Sequence, residues 1–409
     1  WCSTIPAVYS MSTALCEYLL SLKVPVQFSL PSKWPCADFD LKQWAELLPE
    51  RLEFRHEPVA AAPQYEVEQT HRFHATLAEF AEAVRKGRFD RPSIDLASQW
   101  VYSSYNWMSN LKVTQKDCLN WAFFDTNEVD CSSTTIWFGT NGAFTPCHRD
   151  SYGVNIVAQL IGSKEWLLFA PEDEPSLYAS RLPYEETSVF STIDFSRQPV
   201  NRTKYPLLSK ATPYRVVLEP GQVLFVPKHW WHFVRCVAPV CVSVNRWFEV
   251  DSDAADKIDE ALTALLVDRI GDLVDGSVPA FNDEKETEHD PDVVLEAIRR
   301  ASRDLNTGAA RHCTQRAKSE DRLEPSKQNQ QHSGSSADRT SEQDLGQHFG
   351  VTMVKKVALE TIVTPHSAAC DDSKTDGRRE VCMNDIVESI LDPDVIRCIR
   401  HSILQRIGQ

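Results

Sequence analysis

The sequence predicts a mainly β protein that has a sandwich or jelly-roll core with helices on its flanks. Between Thr134 and Val250 the chain passes through short segments rich in Val, Ile, Phe and Trp, separated by turn residues. No apolar pattern at helical spacing interrupts this series, and consecutive short strands are typical of sandwiches and jelly rolls. Helical patterns precede and follow the series, which predicts helices at both ends of the core.

Two helices and one strand are predicted before the core. Apolar residues recur at helical spacing from Ala14 to Leu22, so we expect an amphipathic helix there, followed by the strand-like segment PVQFSL. The same spacing predicts a second helix from Leu77 to Lys86, with Phe80 and Val84 on its apolar face.

Seven segments of the core are strand candidates, with tight turns predicted at Gly162-Ser163 and Pro220-Gly221. The insert from Pro171 to Pro213 is expected to be mostly irregular and to shape a substrate groove together with the N-terminal flank. The candidate strands are TTIWFG, VNIVAQLI, EWLLF, YRVVL, QVLFVP, HFVRCV and CVSVNRWF.

The sequence after Asp251 is helical, then polar, then helical again. Residues from about 302 to 347 contain few apolar side chains, so they cannot bury enough surface to fold and are predicted to be a linker. In the tail DPDVIRCIRHSILQRI, Asp392 can cap a helix whose first residue is Pro393. A helix this short must pack against the catalytic domain, a second copy or a partner. Its apolar stripe consists of Val395, Ile399, Ile403 and Ile407.

Composition excludes several classes of protein. A formal net charge of -15 disfavours nonspecific binding to nucleic acid, which depends on basic surface. The 12 cysteines are scattered without a CxxC motif, which indicates a reducing compartment rather than a disulfide framework. Glu17 and Lys23 interrupt the first apolar run, so we expect no signal peptide, and no apolar span is long enough to predict a membrane helix.

A histidine and an aspartate two residues apart suggest half of a metal site. If TPCHRD is a strand, His148 and Asp150 face the same side. PKHWWHFV offers a further ligand in His229 or His232, and we favour His232 because it begins a strand whereas His229 lies in a connection. Two imidazoles and one carboxylate with open positions are the ligand set of non-haem Fe(II) oxygenases. Zinc, or histidines that are simply satisfied in the core, are the alternatives.

Four runs occur in the same order as in a known family. TPCHRD, GSKEWLLFAPED, PGQVLFVPKHWWH and VSVNRW resemble the JmjC-type cupin hydroxylases, which depend on Fe(II) and 2-oxoglutarate and include the asparaginyl hydroxylase that inhibits hypoxia-inducible factor. The resemblance covers roughly Val24 to Leu266. It implies a double-stranded β-helix core, here with flanking helices and a helical C-terminal extension.

The resemblance also implies roles for individual residues. His148, Asp150 and His232 match the iron ligands. Thr145 and Lys164 match the residues that bind the distal carboxylate of 2-oxoglutarate, and an unpaired buried lysine independently requires an anion. The remaining matches are Tyr102 as a third residue at that carboxylate, Asn155 and Asn245 near the other end of the cosubstrate, and Trp247 beside the iron pocket. The spacing from Asp150 to Asn155 is one residue longer than in the hypoxia-factor hydroxylase, which puts Asn155 in question.

We divide the chain into five segments on these grounds. They are an N-terminal flank of the catalytic domain at 1–133, a JmjC jelly-roll core at 134–250, a helical extension at 251–301, a disordered linker at 302–350, and a C-terminal segment with amphipathic helices at 351–409.

The function implied by the resemblance is an oxygenase that hydroxylates a protein side chain. The resemblance extends to a member that associates with a small heat-shock protein, which implies a partner of that kind and a role in cellular stress responses. One alternative is a cupin scaffold with little or no activity that binds the small heat-shock protein. Another is a tRNA hydroxylase, which the negative net charge disfavours. We expect a cytoplasmic protein, with the nucleus as a second location; a homodimer is left open.

Overall fold

The computed structural model describes residues 7–31, 33–60, 62, 64–65, 71–124, 131–270, 291–307, 346–347, 350–363 and 383–407. The helices of this part of the chain are α1 (Ala7–Ser21), α2 (Leu41–Leu47), α3 (Leu77–Lys86), α4 (Asp253–Ile270), α5 (Pro291–Thr307), α6 (Met383–Ile390) and α7 (Pro393–Ile407). No helix of these ranges is long and apolar enough to span a membrane.

The strands precede, form and follow the predicted core. They are β1 (Val26–Ser29), β2 (Arg51–Pro58), β3 (His71–Thr76), β4 (Arg88–Phe89), β5 (Ile94–Asp95), β6 (Gln99–Trp107), β7 (Thr135–Thr140), β8 (Phe144–Asp150), β9 (Val154–Ile161), β10 (Lys164–Phe169), β11 (Ala179–Glu185), β12 (Ser188–Ser191), β13 (Tyr214–Leu218), β14 (Gln222–Val226), β15 (Trp231–Cys236), β16 (Val240–Phe248), β17 (Thr352–Met353) and β18 (Lys355–Lys356).

Two antiparallel sheets contain all of these strands except the short β4–β5 pair. One sheet has the order β17-β1-β14-β9-β16-β7-β6-β2-β3, and the other has the order β11-β12-β8-β15-β10-β13-β18. Strands β7, β9, β14 and β16 lie in the first sheet, whereas the intervening β8, β10, β13 and β15 lie in the second. The chain therefore alternates between two sheets, which confirms the predicted mainly β jelly roll with flanking helices.

Helix α3 illustrates how the flank is attached to the core. Thr76 and Glu79 form a capping box at its start, and Gly87 ends it with a φ of 75°. The apolar face predicted from the sequence buries Phe80, whose ring lies 5.2 Å from that of Phe54 and 6.5 Å from that of Phe138. Burying a phenylalanine of this kind contributes roughly 1.5–3 kcal/mol to stability. Strands β1, β2, β3 and β6 of the same flank extend the first sheet.

The prediction that the insert at 171–213 is mostly irregular is wrong for β11 and β12. These strands form a hairpin that joins the second sheet, and β12 pairs with β8 in the register Phe190 with His148. The segment contains no regular alternation of apolar and polar residues, because its side chains are buried on both faces. The hairpin is stabilised by pairing with β8, a tertiary contact that local sequence patterns do not encode.

The C-terminal helices pack against the same chain. Ile396 of α7 lies in a cluster with residues of α4 and α5, and Ile399 and Ile403 of the predicted stripe pack against it. Val395 of that stripe is 40% exposed, because Ile396 and not Val395 faces the cluster, and the side chain of Ile407 lies outside the described residues. The Asp392 carboxylate accepts a hydrogen bond from the Asp394 backbone N–H at 2.8 Å, as expected of the predicted cap.

The rest of the described tail lies along the sheets. Strands β17 and β18 pair with β1 and β13, so one short segment covers an edge of each sheet. Residues 302–307 of the predicted linker continue α5, and most of the remainder of 302–350 lies outside the described residues. The predicted division of the chain into five segments stays a prediction.

Candidate metal and cosubstrate site

Three buried side chains converge between β8 and β15. His148 and Asp150 alternate along β8 and face the same side, and His232 of β15 is the cross-strand partner of His148. The two imidazole centroids are 4.2 Å apart, and His148 Nε2 lies 3.8 Å from Asp150 Oδ1. One ligand atom of each residue lies within 4.8 Å of the others, and within the described ranges no other group of three or more His, Cys, Asp or Glu side chains meets this criterion.

Backbone carbonyls orient both imidazoles. His148 Nδ1 lies 2.8 Å from the carbonyl oxygen of Pro146, and His232 Nδ1 lies 3.0 Å from that of Trp230. A carbonyl oxygen only accepts, so Nδ1 carries the proton in each ring and Nε2 keeps a free lone pair. Burial, and then the neighbouring His148, lower the pKa of His232 to about 4. The imidazole of His232 is therefore neutral near pH 7, as a metal ligand must be.

His229 lies outside this cluster. It has a φ of 66° in the connection between β14 and β15, and its Nε2 lies 2.8 Å from the backbone oxygen of Ser151. Burial lowers the pKa of His229, and nearby Asp256 opposes that shift. The structure thus brings His232, and not His229, to His148 and Asp150.

Lys164, the first residue of β10, directs a buried ammonium into the same interior. Its Nζ donates to the Tyr102 hydroxyl at 3.4 Å, and that hydroxyl lies 3.3 Å from Thr145 Oγ1. Burial lowers the pKa of Lys164, but the phenol of Tyr102 and two nearby thiols outweigh it, so the pKa lies above its ordinary value. Lys164 is only 2% exposed, and no carboxylate of the described residues forms an ion pair with it.

Two hydrogen bonds connect an indole on β7 with amide side chains on β16 and β9. Trp137 Nε1 donates to Asn245 Oδ1 at 2.7 Å, and Asn245 Nδ2 donates to Asn155 Oδ1 at 3.0 Å. All three side chains are buried. Asn155 therefore lies with Asn245 despite the longer spacing from Asp150 that put it in question.

These groups surround one cavity with about 390 Å³ of space, part of it open to solvent. The cavity is lined by every sequence-predicted site residue except Asp150, which is linked to it through a 3.0 Å hydrogen bond from Trp247 Nε1 to Asp150 Oδ2. The predicted site residues that line it are Tyr102, Thr145, His148, Asn155, Lys164, His232, Asn245 and Trp247.

Sequence reasoning missed several residues of the cavity wall. Trp137 was assigned only to a strand, and because every residue of β7 is buried, no alternation in the sequence marks its face. Tyr105 has a φ of 52°, which no sequence pattern predicts, and its ring centroid is 4.6 Å from that of Trp137. Trp107 does not line the cavity; its ring packs 5.8 Å from that of Trp247, and it is 40% exposed.

Comparison with known proteins agrees with this geometry. The family model described as cupin-like domain matches residues 16–254. The chain is 38% identical over 261 residues to HSPB1-associated protein 1 of Rattus norvegicus, covering 61% of this chain and 54% of that protein. Identity to HSPB1-associated protein 1 of Homo sapiens is 37% over 265 residues, covering 61% and 53%.

A more distant relative has a different name. Lysine-specific demethylase 8 of Xenopus tropicalis is 27% identical over 238 residues, which cover 57% of this chain and 49% of that protein. The chain spans about half the length of the curated relatives it matches.

Proposed function

The chain belongs to the family of cupin-like, JmjC-type domains, and from that premise we propose that it is an Fe(II)- and 2-oxoglutarate-dependent oxygenase that hydroxylates a protein side chain. The family is generally dependent on these two cofactors. The question for this chain is whether its own residues fit them.

The donor set fits Fe(II). Two imidazole nitrogens and one carboxylate converge in a buried, partly open cavity. A set of two histidines and one carboxylate is characteristic of non-haem Fe(II) oxygenases, since it leaves coordination positions for cosubstrate and oxygen. His148, Asp150 and His232 would hold the metal, and the carbonyls of Pro146 and Trp230 would keep the imidazoles in the ligating tautomer.

The observation that supports the proposal most strongly is the charge of Lys164. A buried ammonium without an opposite charge is destabilised by several kcal/mol. Among the described residues, Lys164 has the Tyr102 hydroxyl, the faces of two aromatic rings 5.3 and 5.6 Å away and two nearby thiols around it, but no ion pair with a carboxylate. A dicarboxylic acid whose distal carboxylate reached Lys164, Tyr102 and Thr145 would neutralise this charge. 2-Oxoglutarate has such a carboxylate and, at its other end, a keto acid that can bind a metal.

The residues of the chain would then have distinct roles. Lys164 binds the distal carboxylate, and Tyr102 and Thr145 donate hydrogen bonds beside it. The Asn245–Asn155 pair, joined by a hydrogen bond, would offer polar groups near the other end of the cosubstrate. When bound, the iron and its cosubstrate supply the oxidising chemistry, which protein side chains cannot perform.

We further propose a small heat-shock protein as the partner, and a role in the stress response. This rests on the name of the relatives, which are called HSPB1-associated, and on their identity of 37–38% to this chain. We also propose that the protein acts in the cytoplasm, with the nucleus as a second location. A non-catalytic scaffold that binds the same partner is the second candidate. The name of the relatives alone favours it, because association does not require chemistry.

Anaerobic titration distinguishes the oxygenase from the scaffold. Fe(II) is added to the purified chain and followed by 2-oxoglutarate, and the visible charge-transfer absorption of the chelated keto acid is recorded. The oxygenase proposal predicts a band that requires both additions and is lost in Asp150→Ala. Metal binding without any cosubstrate-dependent band would favour the scaffold.

A further inference from the structure

We infer that Trp247 is a positioning residue of the metal centre, because its indole N–H holds one oxygen of Asp150 while the other oxygen faces the imidazoles. The inference rests on the proposed function, since it concerns a ligand of the proposed metal. It assigns Trp247 a second role beyond bordering the pocket.

The two oxygens of the Asp150 carboxylate have different surroundings. Oδ1 lies 3.8 Å from His148 Nε2, on the side where the ligand atoms converge. Oδ2 accepts the hydrogen bond from Trp247 Nε1 at 3.0 Å. No other group in the described part of the chain donates a hydrogen bond to this carboxylate. Trp247 thus determines by itself which oxygen is left for a metal.

Strand pairing and a ring contact fix the position of the Trp247 indole. Trp247 lies on β16 opposite Asn155 of β9, so its backbone is fixed inside the first sheet. Its ring packs against that of Trp107 at 5.8 Å with an interplanar angle of 38°. The donor is therefore supplied by the first sheet, whereas its acceptor lies on β8 of the second sheet. The bond therefore joins the two sheets.

The physical consequence follows from the free rotation of a carboxylate. Without a donor at Oδ2, Asp150 can turn its plane or offer both oxygens to a cation, which changes the number of positions that remain open. Hydrogen-bond partners of metal ligands typically affect metal affinity by about 10–100-fold when they are removed. Removing only the indole N–H should produce an effect in this range, since the ring, its packing and its charge stay the same.

The test compares three proteins by titration with Co(II), which reports its coordination through visible absorption bands. In the first variant, position 247 carries 3-benzothienylalanine, which has the shape of tryptophan but a sulfur in place of the N–H. The second variant is Trp247→Phe, which also lacks the donor. The matched control is Trp107→Phe, which alters the packing partner of Trp247 and leaves the N–H in place.

We expect both position-247 variants to bind Co(II) roughly 10–100-fold more weakly than the wild type and to shift its absorption bands. Trp107→Phe should keep the wild-type absorption bands and bind Co(II) within about threefold of the wild-type affinity. The metal-free benzothienyl protein should unfold at the same temperature as the metal-free wild type. Wild-type affinity and bands in the benzothienyl protein would overturn the inference. A wild-type protein that binds no Co(II) would overturn the proposed function as well, so the two failures are distinguishable.

Discussion

Replacing Lys164 with methionine should weaken cosubstrate binding and leave metal binding intact, because Lys164 is the proposed anchor of the distal carboxylate. Methionine is apolar and only one atom shorter than lysine, so it removes the charge with little change of shape. Lys164 is 2% exposed, and its hydrogen-bond partner is the Tyr102 hydroxyl at 3.4 Å. The phenol of Tyr102 and two nearby thiols outweigh the effect of burial, since the pKa of Lys164 lies above its ordinary value. The metal-free and cosubstrate-free variant should therefore unfold at no higher temperature than the wild type.

The effect of the substitution should appear in the binding of the cosubstrate. A charge-assisted hydrogen bond contributes about 1.5–3 kcal/mol, so affinity for 2-oxoglutarate should fall by roughly 10–150-fold in Lys164→Met. Affinity for Mn(II), used as an inert substitute for iron, should stay unchanged, because the three ligands lie on other positions. Isothermal titration with Mn(II) and then 2-oxoglutarate measures both quantities, and exposed Lys204 supplies the control variant Lys204→Met. An unchanged 2-oxoglutarate affinity in Lys164→Met would refute the anchor assignment.

Three further predictions follow from the same structure. His232→Ala should abolish Mn(II) binding by titration whereas His229→Ala should not, and the reverse result would contradict the ligand assignment. Burial lowers the pKa of His232 to about 4, so as the pH falls the unfolded state binds a proton at this histidine before the folded state does. The metal-free protein should therefore lose up to about 3 kcal/mol of its free energy of unfolding between pH 6.5 and pH 4. Urea unfolding at several pH values measures this loss, which should be smaller in His232→Asn. Glu260→Ala should lower the free energy of unfolding in urea by about 3–5 kcal/mol, because the buried guanidinium of Arg181 loses the carboxylate that lies 2.6 Å away. A decrease below about 1 kcal/mol would contradict a stabilising role for this ion pair.

The parts of the fold that sequence predicted well have local causes. Strand β9 is a mostly apolar run, interrupted by Asn155 and Gln159, because its residues are buried on both faces, and α3 begins at a capping box that is visible in the sequence. The β11–β12 hairpin was missed because it is stabilised by pairing with β8, and no local pattern encodes that contact. The segment 352–356 was not predicted as strands either, since each strand has only two residues and depends on a sheet edge that is distant in sequence.

Some features of the candidate site are also local and predictable from the sequence, whereas others depend on tertiary packing. The alternation of His148 and Asp150 on one strand face is a local property, so the sequence predicts it. The choice of His232 required only the assumption that it begins a strand, and the register with His148 agrees. The Trp247–Asp150 hydrogen bond joins two sheets, and the positive φ of Tyr105 turns its ring toward Trp137. Both arise from tertiary packing and could be found only in the structure.

Turnover of 2-oxoglutarate tests the central claim most directly. The iron-loaded chain is supplied with O2 and 2-oxoglutarate labelled at its first carboxyl carbon, with a small heat-shock protein as candidate substrate, and labelled CO2 and succinate are measured. The oxygenase account predicts that both products form in equal amounts, that they require iron, and that they are lost in Asp150→Ala and strongly reduced in Lys164→Met. Tight binding of iron and 2-oxoglutarate in the wild type without any release of CO2 or succinate, with or without the candidate substrate, would contradict it.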